Sequence, residues 1–393
     1  MAVYKLYPSK DATIYSLFPR MNTGLDEIIE ATTTAFAPAT PFPQVSRFLI
    51  HWSSDEIVDI VDNTIGSSEF SASFKAYLAT ATGVNIGGDD NTYIADSSAE
   101  TTKIEAWPLA QGWRNGTGKY LDQPLTDDGV SWAFRIFSGS GEWAVSGTPG
   151  VTGYYSGSNE GGGAWYTSSL YYASQELTYG ADLDINMDVT NVTKDWYSGS
   201  KGLGGVYNGG LIIKQTGSQE FVANKNQQVE LKFFSIDTHT IYPPHLELRW
   251  QDAIYSTGST AGNLLTSTNA YVSLEDNPGV FYSGSINRFR INARPSFPRR
   301  VFTTSSLYTT QHFFPSSSNT HYAIKDLDTN EFVVDFDQRY TAVSADENGC
   351  YFDIYMHGLE PERYYKILLK STISGSTRVF DDNYYFKVVN GWA

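Results

Sequence analysis

The stretch Asp184 to Lys214, DINMDVTNVTKDWYSGSKGLGGVYNGGLIIK, sets the terms for the whole chain. Ile185, Met187 and Val189 alternate with Asp184, Asn186 and Asp188. One face is therefore apolar and the other wet, the period-2 mark of a half-buried strand. Thr190 is placed to cap the next turn, its hydroxyl accepting from amides two and three residues on. Val192 and Trp196 lie one helical turn apart and face the same way. Gly199, Gly202, Gly204, Gly205, Gly209 and Gly210 then punctuate a loop, and Leu211, Ile212 and Ile213 open a fully apolar strand. Strand, short helix, glycine loop and strand contain no reactive constellation. They read as a closing element of a β-sandwich on which the first two-thirds of the chain packs.

Composition agrees. Aromatic residues reach 15% while charged residues are only 18% of 393, and with the many Thr, Ser and Gly this describes an all-β protein with turn-rich loops. The net charge of −16 argues against nucleic acid and anionic membranes, both of which need basic surface. Cys350 is the only cysteine, so no intrachain disulfide forms. The N-terminus MAVYKLYPSKDATIYS runs straight into alternating strand without an apolar leader. No apolar run reaches the ~18 residues of a membrane span. The expectation is a protein made in the cytoplasm and not exported by a standard signal.

Taken in order, Lys10–Ser16, Glu27–Ala35, Arg47–Trp52, Phe74–Thr82, Lys103–Leu109, Leu170–Tyr179, Gln228–Ile236 and His245–Trp250 read as strands. Asn22, Thr23 and Gly24 form a turn between the first two, and a proline-rich loop runs from Ala37 to Gln44. Ser54–Ile65 reads as a helix, capped by Ser53 or Ser54, with Ile57, Val61 and Ile65 on one face. Residues 122–167 form a long decorated insertion and residues 251–284 a mixed connector. From Ser285 on, short strands at regular spacing suggest a seven-stranded sandwich. The expected organisation is a jelly-roll domain over 1–250, the connector over 251–284, and an Ig/fibronectin-III-like domain over 285–393.

Across 1–250, the opening KDATIYS with its NTG turn, the strand FKAYLATAT, KIEAWPLAQGWRNGTG, MDVTNVTKDWYSG with NGGLIIK, and the closing VELKFFSIDT…PPHLELRW resemble the DNRLRE-type (disaggregatase-related) β-jelly-roll module. The 122–167 insertion departs from that compact module. Such modules hang on carbohydrate-active secreted proteins, where some bind polysaccharide. The chain is also similar to virion structural proteins of tailed phages, particularly myophages of marine cyanobacteria, in which KDATIYS…NTGLDEI, AWPLAQGW and DGVSW recur in a similar arrangement. Within the jelly-roll pattern the structural positions are Asp188, Thr190, Trp196, Gly209 and Gly210. Separately, GLEPERYYKILL (Gly358–Leu369) is similar to the L-x-P-x-x-x-Y corner of fibronectin type III domains. Leu359, Pro361 and Tyr365 fill the pattern, and the tyrosine hydroxyl is expected to bond back to the chain.

No catalytic set stands out. The six histidines make no metal-ligand spacing, and there is no C-x-x-C, P-loop, G-x-S-x-G elbow or Rossmann fingerprint. Cys350 reads as a buried inert thiol. Acidic pairs (Asp89-Asp90, Asp127-Asp128, Asp182 with Asp184, Asp381-Asp382) are expected by chance among 43 acids, although a glycosidase would need two such carboxylates facing a cleft. The oxygen-rich loops admit a structural calcium, with Asp11, Asn22, Asp182 and Asp188 as candidates that do not form a ligand-spaced loop; no other metal or cofactor is expected. Trp107 and Trp196 read as core. Trp113, Trp132, Trp143, Trp165 and Tyr166 divide evenly between two readings, packing within the chain or standing open as an interface or sugar-stacking surface.

The leading expectation is a non-enzymatic virion component of the neck, collar, tail or baseplate. It would assemble through protein contacts with other virion proteins, as a symmetric homo-oligomer or as decoration of a ring. The alternatives are a carbohydrate-binding module or receptor-contact element touching a host glycan, and a polysaccharide-degrading enzyme.

Overall fold

The computed structural model describes residues 2–34, 44–67, 69–82, 101–137, 141–143, 151–152, 161–178, 182–216, 220, 229–257, 263–275, 278–298 and 312–391. The proline-rich segment Ala37–Pro43, the Asp89-Asp90 pair and parts of the 122–167 insertion and 251–284 connector lie outside these residues. The chain is all-β, with two short α-helices among the described residues. It divides into two compact units, Leu6–Glu247 and Met1–Lys5 with Leu248–Ala393.

The first unit, Leu6–Glu247, is a jelly-roll-like sandwich. Its large sheet runs in the order Ala173–Thr178, Thr101–Pro108, Leu211–Gln215, Gln44–His51, Ile28–Thr34, Val229–Phe234, Leu78–Thr82, with Lys10–Tyr15 also paired to Gln44–His51. A smaller sheet carries Ile185–Asp188, Phe70–Ala76 and His245–Trp250 in that order. The run Phe74–Thr82, expected as one strand, is the end of one strand and the whole of another. At Tyr77 the chain leaves the small sheet for the large one. There Phe234 N–H donates to the Tyr77 carbonyl (3.1 Å) and Leu78 N–H to Asp184 Oδ1 (2.8 Å). Such a corner is how one strand serves two sheets.

Helix α1 (Ser54–Asp59) continues into a π-helical turn, Ile60–Ile65, which ends at Gly66 with φ +67°. The wider turn rotates the apolar stripe: Ile57, Ile60 and Val61 are buried and Ile65 only half-buried. Neither expected cap forms. Ser53 makes no side-chain cap bond, and Ser54 Oγ accepts from Asn208 Nδ2 at 3.0 Å. Helix α2 (Thr190–Ser200) seats Val192 and Trp196 in the core, as their spacing predicts. Its cap is corrected too: Asp188 Oδ1 accepts from Thr190 N–H (2.9 Å), while the Thr190 hydroxyl accepts from Ala72 N–H (2.9 Å). Thr190 thus ties the helix start to the neighbouring strand.

Between the sheets, Trp52, Phe74, Phe48, Phe233 and Trp196 form a chain of ring contacts with centroids 5.6–6.5 Å apart. The opposite face of the large sheet is covered as well. Ala12, Ile14, Val45, Leu49 and Ile212 pack there with Leu109, Val130, Ala164, Trp113, Trp132, Trp143 and Trp165. Burial on both faces explains why Phe48–Ile50 and Leu211–Ile213 read as continuous apolar runs rather than alternating ones. The rings of the insertion region serve as this second cover.

The second unit is a two-sheet sandwich. One sheet orders Ala270–Leu274, Ile286–Pro295, Gly349–Tyr355 and Ser344–Asp346. The other orders Val280–Tyr282, Tyr385–Val389, Tyr364–Ile373, Thr320–Asp326 and Phe332–Val334, with Ser376–Phe380 also paired to Tyr364–Ile373. Ten strands are described where a seven-stranded sandwich was expected, and two of them, Ala270–Leu274 and Val280–Tyr282, come from the connector, one in each sheet. Tyr322, Phe352 and Phe289 stack at 4.2 and 5.6 Å in the core. Val3 is buried in the same cluster and Tyr4 stacks on His357 at 4.8 Å, which is why the first residues belong here. Tyr365 is buried, and its hydroxyl donates to the Glu360 carbonyl at 2.9 Å, the expected tyrosine corner. Leu359 is buried beside it and Pro361 half-buried.

Candidate functional site

Three places concentrate chemistry: a buried ionic network and a cleft in the first unit, and an open sheet face in the second.

The network lies under the insertion. Arg47 donates through Nε and Nη2 to both carboxylate oxygens of Glu220 (2.8 and 2.9 Å) and through Nη1 to the Gly162 carbonyl (2.6 Å). Its guanidinium sits over the rings of Trp132 (4.9 Å) and Trp165 (5.2 Å). Lys214, one strand away, pairs with Glu105 (3.0 Å) and Glu220 (3.7 Å). Arg47 and Glu220 are each 1% exposed. Gly162 reaches Arg47 because it has no side chain; at φ +82° a Cβ would meet Arg47 Nη1 at 2.7 Å and the Trp132 ring at 2.8 Å. Two cations and two anions balance, and every donor faces inward. This arrangement locks the insertion to the sheet and offers nothing to a substrate.

The cleft, about 290 Å³, opens between Leu170–Ser174 and the start of α2. Tyr171 and Tyr172 wall one side and Asp188 and Asn191 the other. The Tyr171 hydroxyl donates to Asp195 Oδ2 (2.5 Å), and that bond pushes the phenol up to about 12. The Tyr172 ring leans on Trp107 at 4.7 Å.

The open face belongs to the six-stranded sheet of the second unit. Along Tyr364–Ile373 every second residue is buried, so Tyr364, Lys366 and Lys370 point outward. The register sets Phe332, Lys325, Lys366 and Tyr385 side by side across four strands. Val280, Lys387 and Tyr364 form a second row, and Lys370 lies opposite Val379. Each lysine covers a ring: Lys325 on Phe332 (5.1 Å), Lys366 on Tyr385 (5.6 Å), Lys387 on Tyr364 (5.9 Å) and Lys370 on Phe336 (4.4 Å). Val280, Phe332, Tyr364, Val379 and Tyr385 are nonetheless 42–51% exposed.

The rings singled out from sequence lie elsewhere. Trp113, Trp132, Trp143 and Trp165 are 0–6% exposed, so packing within the chain, not an open interface or sugar platform, is what they do. Trp143 Nε1 donates to the Ser131 carbonyl and Trp113 Nε1 to the Gly209 carbonyl (3.1 and 3.0 Å). Tyr166 is half-buried. Gly209 and Gly210 thread between neighbouring strands: a Cβ would meet Leu109 O at 2.6 Å and Ile50 O at 2.2 Å respectively. Trp196 is core, as expected, and Trp107 half-buried against the insertion cluster.

The calcium candidates are dispersed. Asp11 accepts from Ser235 Oγ (3.0 Å) and Ile236 N–H (2.9 Å), and burial pushes its carboxyl up to about 7. Asn22 makes four bonds, donating to the carbonyls of Asn115 (2.6 Å) and Val130 (2.8 Å) and accepting from the amides of Gly118 (2.8 Å) and Gly24 (3.2 Å). Asp182 and Asp188 each accept a nearby backbone N–H. Among the described residues no three His, Cys, Asp or Glu side chains gather as a metal cluster, and no helix is long and apolar enough to cross a membrane. Cys350 is buried, which pushes its thiol up to about 11 and away from nucleophilic use. The described acidic pairs are likewise dispersed: Asp128 binds Thr117, Asp184 the Leu78 amide and Asp381 Lys366.

Sequence reasoning missed Arg47, Glu220 and the lysine face. Arg47 carried a signal, a charge inside an apolar strand, and the face shows as Tyr and Lys alternating with Ile and Leu in YYKILLK. Set against known proteins, the chain matches no family model and no curated protein sequence.

Proposed function

We propose that this chain is a non-enzymatic assembly protein, a structural component of a tailed-phage virion at the neck, collar, tail or baseplate. The observation that carries the reading is the lysine–aromatic face of the six-stranded sheet. Exposed Tyr, Phe and Val side chains interleaved with lysines present rigid apolar area with charge at its margins, the composition of a protein contact surface. The ionic network supports the same reading, because it spends the buried charge of the first unit on rigidity. The resemblance to virion structural proteins supplies the setting, and assembly in the host cytoplasm before packaging into the virion follows from it. The test is light scattering of the purified full chain mixed with candidate neck, tail and baseplate proteins. A complex of defined mass is expected; no complex with any of them overturns the reading.

A second reading, contact with a host glycan, is favoured by the cleft at Tyr171 and Tyr172. Two phenol rings beside Asp188 and Asn191 suit one sugar ring. Titration with host cell-wall polysaccharide, followed by Tyr172→Ala, tests it. Saturable binding lost in the variant is expected on this reading, and unchanged or absent binding ends it.

A further inference from the structure

Charge is divided unequally along the chain. Residues 6–247 hold 13 Lys and Arg against 28 Asp and Glu, a formal −15, while the remaining residues hold 14 against 15, a formal −1. Within the near-neutral unit the cations are gathered. Lys325 and Lys366 face each other directly across two strands, an arrangement that costs stability because like charges oppose. Lys370 lies four residues further along the same outer face. Asp381 pairs with Lys366 (2.5 Å) and Glu362 with Lys387. Among the described residues neither Lys325 nor Lys370 forms an ion pair; each rests on a ring instead.

The acidic unit has a counterpart. On α1 and the π-turn after it, Asp55, Glu56, Asp59 and Asp62 place four exposed carboxylates within eight residues. Lys201 pairs with Asp62, and Asn63 donates to Asp59 (2.6 Å). Asp55 and Asp59, four apart, share one side of α1, and Asp62 follows on the π-turn.

We infer that the lysine–aromatic face of one copy docks on the acid-rich 6–247 unit of a second copy. The inference rests on the assembly reading and names its partner as a second copy of this chain. The contact is heterologous, two different surfaces meeting, so it propagates head to tail and yields a ring where the rotation closes and a filament where it does not. Carboxylates of the second copy would relieve the Lys325–Lys366 opposition, and the exposed rings would supply apolar area.

The test uses the full-length chain. Light scattering across a concentration series, at low salt and near 1 M salt, should show mass rising with concentration at low salt and returning toward monomer at high salt, where the Debye length falls to ~3 Å. The triple variant Lys325→Gln/Lys366→Gln/Lys370→Gln should remain monomeric with an unchanged circular dichroism spectrum. Zero-length carbodiimide cross-linking of a ¹⁴N/¹⁵N mixture should join these lysines to carboxylates of 6–247 in mixed-isotope peptides. A wild-type chain that stays monomeric at low salt overturns the inference. So does a folded triple variant that associates like wild type, or links confined to one copy. A monomer that still binds a neck or tail protein sinks this inference alone and leaves the assembly reading standing.

Discussion

The two units solve the problem of charge on a β-sheet in opposite ways. In Leu6–Glu247 the large sheet is covered on both faces, and Arg47, Lys214, Glu105 and Glu220 are sealed beneath Trp132 and Trp165. In Leu248–Ala393 the outer face of the six-stranded sheet is partly open, and its lysines lie on aromatic rings there. Buried, the charges must be matched one for one, since an unpaired ion in the interior costs several kcal/mol. Exposed, they can oppose each other at small cost. The first unit is therefore sensitive to the loss of any one partner, whereas the second can vary its surface freely as far as its own fold is concerned.

The sharpest way to break this contrast is in the buried network. Arg47→Ala should destabilise the first unit by ~3–5 kcal/mol, because buried Glu220 loses both guanidinium bonds and keeps only Lys214 at 3.7 Å. The double variant Arg47→Met/Glu220→Leu should cost far less, as neither charge remains. Chemical denaturation followed by tryptophan fluorescence measures both, and equal losses would show that packing rather than charge governs the site. Next in size is Asn22→Asp. Two amide donations to the Asn115 and Val130 carbonyls would become repulsions at a fully buried site, a loss of ~2–3 kcal/mol from unsatisfied buried groups.

Two residues of the first unit act on its pH dependence in opposite directions. Asp11 titrates near 7 when folded and near its ordinary 3.8 when unfolded. Between these values the folded state holds the extra proton, so this contribution is fully present below about 4 and is lost as pH rises through 7. His51 is pushed down to about 4, first by burial and then by Lys10. The unfolded state holds the extra proton between about 4 and 6.5, so the His51 contribution is present above that window and is lost as pH falls through it. Asp11→Asn should therefore lessen the fall of stability with rising pH between about 4 and 7, measured as Tm, with the raised carboxyls of Asp26, Glu30 and Asp237 still acting in the same direction. A Tm profile with the same slope as wild type would remove Asp11 as a cause.

In the second unit the effects shrink. Tyr365→Phe removes one hydrogen bond to Glu360 and should cost ~1 kcal/mol in urea unfolding. Smallest of all, Lys366→Gln should change stability by no more than ~0.5 kcal/mol, as surface substitutions do. A large loss there would show that the open face is part of the second unit's own fold, and the contrast between the units would collapse.

Much of the architecture is legible in single residues. Period-2 alternation marks Ile185–Asp188 because only one face of that strand meets the core. Val192 and Trp196 announce α2 and its buried side. Leu359, Pro361 and Tyr365 announce the corner, since the phenol must return a bond to the backbone a few residues upstream. The aromatic and hydroxyl-rich composition, with few charges, is enough to set the all-β class. These features are local: each depends on neighbours within about one turn or one strand.

What tertiary structure alone decided is everything that depends on a second cover. Whether Trp132, Trp143 and Trp165 stand open or lie buried turns on which sheet face the insertion lies against, and no local pattern encodes that. Arg47 meets Glu220, 173 residues away in sequence, and Asn22 meets the 115–130 loop across a distance that spacing cannot reveal. The lysine face exists because strand register lines up four separate segments. Propensity and periodicity act over a few residues, whereas pairing, burial and charge matching are settled only when distant strands share one sheet.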